Sequence, residues 1–383
     1  MGKTIYLNYA ADAQPKPPAV IEEMTRFLQT NNDPHTSRSL LGLEEAGSLL
    51  EARERIAQLF NAPDAAHVAF TSGITLSLNM ILNGLLKPGD HVITTSVEHN
   101  AVSRPLHLLQ QNQKVSVTIL PCGPDGTLDP DLVAEAILPN TKALIMTHAS
   151  NVLGTVLPVK ACFEIGKRRG LITILDSAQT AGFLPIDMQE LSIDVVAFTG
   201  HKGLLGLSGV GGFALSTEAA QRIDPWLVGG TGSRSHELEQ PRFLPDKFEA
   251  GTQNMLGVVS MSSGIDWLQK QGVATLRQHQ QQRTKQFIQG LHALPVSVLG
   301  NHDQQLGVPV VSLTTPQLSP GQLAQRLYDD YGIITRAGLH CAPWAHQTAG
   351  TSNTGAVRFS FGWATTTQEI DDTIVAIKTI LTK

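Results

Sequence analysis

Ala197-Phe198-Thr199-Gly200-His201-Lys202 decides the reading of this chain, together with Ile174-Leu175-Asp176-Ser177-Ala178-Gln179 upstream of it. Both segments run from apolar residues into a small, polar turn, the pattern of a buried strand reaching its C-terminal edge. A lysine at one strand end, facing a carboxylate from a neighbouring one, suits a specific chemistry. The Lys202 amine can condense with an aldehyde, and Asp176 can keep a pyridine nitrogen protonated so that the ring withdraws electrons. The pair therefore points to pyridoxal 5'-phosphate. A solvated lysine and a helix-capping aspartate are the plain alternatives, and the apolar runs before both residues argue against them.

Working outward, strand-like stretches fall at 67–70, 91–94, 115–120, 143–147, 171–175, 194–198 and 211–215. Several are rich in Val and Ile without strict alternation, as in strands buried on both faces of a parallel sheet. Helical patterns lie between them. Residues 44–60 carry Leu49, Leu50, Ile56, Ala57 and Phe60 at three- and four-residue intervals, with Glu51, Arg53, Glu54 and Arg55 on the other side. Strands alternating with helices predict an α/β fold built on a mostly parallel seven-stranded sheet. Beyond Asn254 the character changes. A long polar helical stretch, 255–294, reads as a connecting helix pair. It precedes a strand at 308–313, a helix at 321–331, a strand at 356–361 and a helix at 367–381. The expected organisation is a large cofactor-binding domain, 17–254, and a small α+β domain formed by 1–16 with 255–383.

Composition narrows the partners. The 383 residues are 42% hydrophobic and 16% charged, an ordinary globular balance with ample core for two domains. A net charge of −5 without a dense basic run disfavours nucleic acid and anionic membranes. The opening residues lead straight into Asn8 and Asp12, unlike a secretory signal, and no apolar run is long enough to span a bilayer. The three cysteines, Cys122, Cys162 and Cys341, are far apart and lack metal-ligand spacing. They predict neither disulfides nor a metal site, and a cytoplasmic location.

Several further residues carry chemistry. Thr71-Ser72-Gly73-Ile74-Thr75 follows a strand and opens a helical pattern at 76–86. Such a start offers free N–H groups from Ile74 and Thr75, with the Thr75 hydroxyl, to a phosphate; a simple N-cap is the alternative. Thr199 and His201 beside the lysine could add phosphate donors. His99, in Glu98-His99-Asn100-Ala101, could stack on a planar cofactor, act in proton transfer, or be structural. Asn151 suits a phenolic oxygen or a substrate carboxylate, or a turn before Gly154. Gln179 is close enough to Asp176 to reach the ring oxygen. Cys341, in Arg336-Ala337-Gly338-Leu339-His340-Cys341-Ala342-Pro343, sits in a loop whose composition suits a partly exposed thiolate; a small buried hydrophobe is the alternative. Arg358 alternates with Val357 and Phe359 and so faces the other way. There it implies a fixed carboxylate from protein or substrate.

These motifs resemble the class V, fold type I pyridoxal-phosphate enzymes, and within them the cysteine desulfurases and selenocysteine lyases of the SufS-like branch. The likeness begins at Tyr6-Leu7-Asn8-Tyr9-Ala10-Ala11 and continues through 71–75, 98–101, 148–155, 176–179, 199–212, 248–254, 336–343 and 358–362. Ile74 stands where a small or hydroxyl residue is common, Leu339 where many members have His, and the continuation Pro343-Trp344-Ala345-His346 also differs.

The resemblance implies a catalytic set of Lys202, His99 and Cys341. Lys202 would hold the cofactor and move a proton, while His99 stacks on its ring. Asp176 would hold the ring nitrogen, Gln179 its phenolic oxygen, and Thr75, Thr199 and His201 its phosphate. Thr252 would complete the phosphate site across a homodimer. Arg358, with Asn151 and the nearby Arg336, would take the substrate carboxylate. Cys341 would accept sulfur from cysteine, leaving alanine and a persulfide that passes to an acceptor protein. A selenocysteine lyase, a C–S β-lyase, and a class V aminotransferase or epimerase remain as alternatives on the same scaffold. A non-catalytic scaffold is opposed by the presence of Lys202, Asp176, His99 and Arg358.

Overall fold

The computed structural model describes residues 4–30, 40–300 and 307–382; residues 1–3, which open the expected small domain, lie outside them. A short strand β1 (Ile5–Tyr6) precedes the main sheet. That sheet is formed by β2 (Val68–Thr71), β3 (His91–Thr95), β4 (Ser116–Leu120), β5 (Thr141–Thr147), β6 (Ile172–Asp176), β7 (Val195–Thr199) and β8 (Gly211–Leu215). It is seven-stranded, in the order β2-β8-β7-β6-β5-β3-β4. The strands from β7 to β4 are parallel, and β8 runs antiparallel to both its neighbours. Alternate residues feed two cores. Val196 and Phe198 join one apolar cluster, Val195 and Ala197 the other, the two-residue period of a strand covered on both faces.

All seven expected strands form, with ends moved by a residue or two. His67 is a correction: it closes a 3-10 turn, Ala65–His67, because the Asp64 carboxylate accepts from its N–H, and the strand starts at Val68. The helix expected at 76–86 is Ile74–Leu85, starting earlier because Gly73 turns the chain there with φ 148. The helix expected from 44 runs over Leu40–Phe60, and Leu50, assigned to its apolar side, is exposed. The connecting pair is Met255–Gln271 and Val273–Leu291, divided at Gly272 with φ 81.

The C-terminal region contributes β9 (Ser297–Leu299), β10 (Val310–Thr314), β11 (Ile333–Ile334), β12 (Arg336–Gly338) and β13 (Ala356–Ser360). An antiparallel sheet is ordered β12-β13-β10-β9, and β1 pairs with β11 in parallel. Its core joins Ile5 and Leu7 to Phe287, Val311, Leu313, Val357, Phe359 and Ile377. The first strand thus packs with the last third of the chain. Residues 336–343, expected as a loop, are corrected here. Arg336–Gly338 is a strand and Pro343–Thr348 a helix, so only 339–342 is loop. A three-residue strand has too little pattern to be read locally; pairing with β13 creates it.

Candidate active site

The C-terminal ends of β2, β3, β5, β6 and β7 share one edge of the main sheet. Asp176 ends β6, in register with Thr147 of β5 and Ala197 of β7. It is 2% exposed. Oδ1 accepts from the Ala178 N–H at 2.9 Å, and Oδ2 has no partner among the described residues. Burial raises its pKa, opposed by that hydrogen bond and by the Lys202 charge. Lys202 follows β7 in a tight turn held by Leu205 N–H on its carbonyl and Gly206 N–H on the Gly200 carbonyl. The turn lies against backbone: a Cβ on Gly203 would stand 2.2 Å from the Ala181 oxygen, so only glycine fits. Burial lowers the amine to about 8, against the pull of Asp176 and reinforced by Arg358 and Arg336.

The expected phosphate end lies at the start of Ile74–Leu85. No side chain caps this helix. Neither the Ile74 nor the Thr75 N–H has an acceptor among the described residues, so both donors and the helix dipole are open to an anion. A Cβ on Gly73 would lie 3.9 Å from Thr199 Oγ1, which brings the β7 end to the same place. Thr199 Oγ1 and His201 Nδ1 are 2.9 Å apart. Burial and Lys202 lower the His201 ring to about 4, keeping it neutral. Thr75 is exposed. Thr252 is exposed too, and shares a cleft with Thr71 and Ser72.

His99 is the N-cap of Asn100–Gln113, its Nδ1 accepting from the Ala101 N–H at 3.0 Å. The proton of the neutral ring is therefore on Nε2. Burial first, then Lys202, Arg336 and Arg358, lower its pKa to about 4. Gln179 donates through Nε2 to the Ala10 carbonyl at 3.2 Å. Glu98, next to His99, has no local sequence signal of a role and is fully buried. It accepts from the Thr95 hydroxyl at 2.6 Å and from the Thr147 N–H, so it ties the ends of β3 and β5 together. Burial raises it to about 8.

Arg358 projects from β13 away from Val357 and Phe359, as expected, and is 1% exposed. Its guanidinium donates to the Asn151 carbonyl and to Asn8 Oδ1, both at 3.2 Å, while Nε is buried without a partner. Nothing local in the sequence marks Asn8 for this contact, which spans 350 positions. Burial and Arg336 lower Arg358 to about 9. Arg336, on β12, places Nη2 3.5 Å from Cys341 Sγ, and Cys341 is exposed. Asn151 is turned to the same loop, donating from Nδ2 to the His340 carbonyl at 2.9 Å. The edge thus collects Lys202, Asp176, His99 and Arg358, with Cys341 beside Arg336.

The Aminotransferase class-V family profile matches residues 5–373. This chain belongs to the class-V aminotransferase family. Among class-V relatives, one named probable cysteine desulfurase from Methanothermobacter thermautotrophicus is 31% identical, over 96% of this chain and 92% of its own length. A cysteine desulfurase from Pectobacterium atrosepticum is 30% identical over 98% and 92%. The structure of a cysteine desulfurase from Thermococcus onnurineus superposes with a TM-score of 0.92 at 27% identity, covering 99% of this chain and 95% of that one. CsdA of Escherichia coli gives 0.89 at 29% identity, with 99% and 95% coverage.

Pyridoxal phosphate is the cofactor that class-V membership implies, and the residues fit it. Two open N–H groups suit a phosphate, the free oxygen of a buried carboxylate suits a pyridinium, and an amine held near neutrality suits an aldehyde. Among the described residues no helix is long and apolar enough to cross a membrane.

Proposed function

We propose that this protein is a pyridoxal-phosphate-dependent cysteine desulfurase that converts cysteine to alanine and holds the released sulfur on Cys341. The observation that carries the reading is Cys341 Sγ lying 3.5 Å from Arg336 Nη2, with the buried Arg358 opposite that arginine. An exposed sulfur nucleophile thus stands beside two cations suited to an amino acid carboxylate.

When bound, pyridoxal phosphate supplies an electron sink that weakens bonds at the substrate Cα and Cβ. The protein's residues do the rest. Ile74 and Thr75 would present backbone N–H groups to the phosphate, with side-chain donors from the Thr75 hydroxyl and from the hydrogen-bonded Thr199–His201 pair, which has one proton left to give outward. Asp176 would hold the ring nitrogen, Gln179 its phenolic oxygen, and the neutral His99 ring would pack against the pyridine. Lys202, at about 8, gives up and recovers a proton near physiological pH. Arg358, supported by Asn151 and Arg336, orients the substrate carboxylate. The Cys341 thiolate attacks the substrate sulfur: an S–S bond forms, the Cβ–S bond breaks, and the electron pair of the broken bond stays on carbon, which is protonated to alanine.

We read the large domain as 17–254 and the small one as 1–16 with 255–383, supported by the core joining Ile5 and Leu7 to residues 287–381. A cytoplasmic homodimer, with Thr252 reaching the partner's phosphate, fits the free cysteines and the exposed position of Thr252. Exposed Cys341, with Leu339 41% exposed beside it, leaves the sulfur accessible to an acceptor protein.

Product analysis with cysteine tests the assignment. Wild type should yield alanine and a persulfide on the peptide containing Cys341, and Cys341→Ala should yield neither while retaining the yellow cofactor. Pyruvate in place of alanine would indicate a C–S β-lyase, and turnover confined to selenocysteine a selenocysteine lyase. Full activity of Cys341→Ala with cysteine would overturn the role of Cys341.

A further inference from the structure

We propose that His346 is a positioning residue for Cys341, acting through His340 and Thr351 in a hydrogen-bonded chain beneath the nucleophile's loop. The inference rests on the reading of Cys341 as sulfur acceptor.

The loop needs holding. His340 has φ 52 and Cys341 φ 56, two successive non-glycine residues in the left-handed region, where L side chains crowd the backbone. Their carbonyls are clamped from the large domain, that of His340 by Asn151 Nδ2 at 2.9 Å and that of Cys341 by the Asn100 N–H at 2.7 Å. The His340 ring is the third restraint. It is 3% exposed, and His346 is 0% exposed.

One proton arrangement satisfies the chain. His340 Nε2 lies 3.1 Å from the Arg336 carbonyl. A carbonyl only accepts, so Nε2 carries the proton and Nδ1 of the neutral ring is bare. His346 Nε2 lies 3.2 Å from that Nδ1 and must donate to it. His346 Nδ1 is then bare and accepts from the Thr351 hydroxyl at 2.8 Å. Hydrogen bonds therefore run in one direction, from Thr351 through His346 and His340 to Arg336. Burial holds His346 at about 4 and His340 at about 3, so both rings are neutral, as the chain requires.

The far end is anchored. His346 lies on the helix Pro343–Thr348, whose Ala345 joins the large apolar cluster and whose Thr348 hydroxyl donates to the Ser96 carbonyl at 2.9 Å. The relay thus carries the position of the large domain to His340, next to Cys341. It also carries it to Arg336, whose side chain meets the sulfur.

The test compares His346→Ala with His346→Gln in the holoenzyme. Glutamine can donate to His340 Nδ1 and accept from Thr351 but does not titrate. His346→Ala should lower kcat for alanine formation about tenfold with KM for cysteine within twofold, and speed amide exchange of the peptide spanning 336–348 at least tenfold. His346→Gln should recover most of both. Wild-type kcat and exchange in His346→Ala would overturn the proposal, as would His346→Gln failing as badly as His346→Ala. Amide exchange does not depend on turnover. If wild type makes no alanine, the desulfurase reading fails, while exchange still reports on whether His346 holds the loop.

Discussion

Arg336 and Arg358 stand directly opposite each other on β12 and β13, a cross-strand pair of like charges. Such pairs destabilise a sheet unless something neutral or negative lies between them. Arg358 is the deeper of the two, lowered to about 9 by burial and by its neighbour, and its Nε has no partner. The arrangement stores a demand for an anion. A substrate carboxylate would meet it with charge-assisted hydrogen bonds, and the Cys341 sulfur accepts from Arg336 on the other side.

Arg358→Gln should therefore act mainly on substrate binding. Removing one partner of a desolvated, hydrogen-bonded charge pair costs about 2 kcal/mol or more, on the order of 30-fold in affinity. KM for cysteine is expected to rise by about that factor. Steady-state kinetics decide it, and an unchanged KM places the carboxylate elsewhere.

The Lys202 amine sets a pH dependence for cofactor uptake. Only the neutral amine condenses with an aldehyde, so incorporation into cofactor-free protein should accelerate as pH rises through about 8 and then level off. Asp176 favours the charged ammonium. Asp176→Asn should therefore move that rise to lower pH, even though it weakens the final complex. Stopped-flow absorbance over a pH series reports both, and a rise moved to higher pH would count against the pairing.

Glu98 predicts a stability effect of the opposite kind. Its folded pKa, about 8, lies above the ordinary 4.5, so the folded protein binds the extra proton between those values. The contribution of the neutral form is complete below 4.5 and is lost as pH rises to about 8, with a slope of at most about 1.4 kcal/mol per unit. Glu98→Gln keeps the shape and does not titrate. Its melting temperature should gain on wild type as pH is raised from 5 to 8, and parallel curves would show that Glu98 is already ionised in the fold.

A buried ion pair supports the end of β2 that leads into the Gly73 turn. Arg53 and Glu249 meet side by side, with Nη1 on Oε1 at 2.8 Å and Nη2 on Oε2 at 2.5 Å, and Glu249 also accepts from the Phe70 N–H at 2.7 Å. Glu249→Ala leaves a guanidinium buried without its counter-charge, at a cost of about 3–5 kcal/mol. Denaturant titration should show a loss of that order, larger than for the Arg53→Met, Glu249→Leu double variant, which buries no charge.

The parts of the site legible in sequence are those with a local signature. Asp176 ends an apolar strand, Lys202 lies in the turn just past one, Gly73 opens a helix, and Arg358 alternates with Val357 and Phe359. Each signal spans a few residues, so periodicity exposes it. The overlooked residues act across distance in the chain. Glu249 serves a backbone N–H 179 positions away, and Asn8 meets Arg358 across 350. His346 stands out in the sequence only as part of a continuation that departs from the family pattern, and β12 has three residues and no period of its own. Nothing local marks such contacts, because the chain decides them only when it closes.

By itself the sequence determined the layer architecture and the apolar strands that lead into Asp176 and into the turn of Lys202. Hydrophobic period and turn chemistry are local, so they survive in one dimension. Tertiary structure alone decided that Arg336 faces Arg358, that Asn151 bonds the His340 carbonyl beside Cys341, and that Glu98 joins two strands while taking a raised pKa. Those are properties of burial and of distance between remote residues, and neither exists before the core has formed.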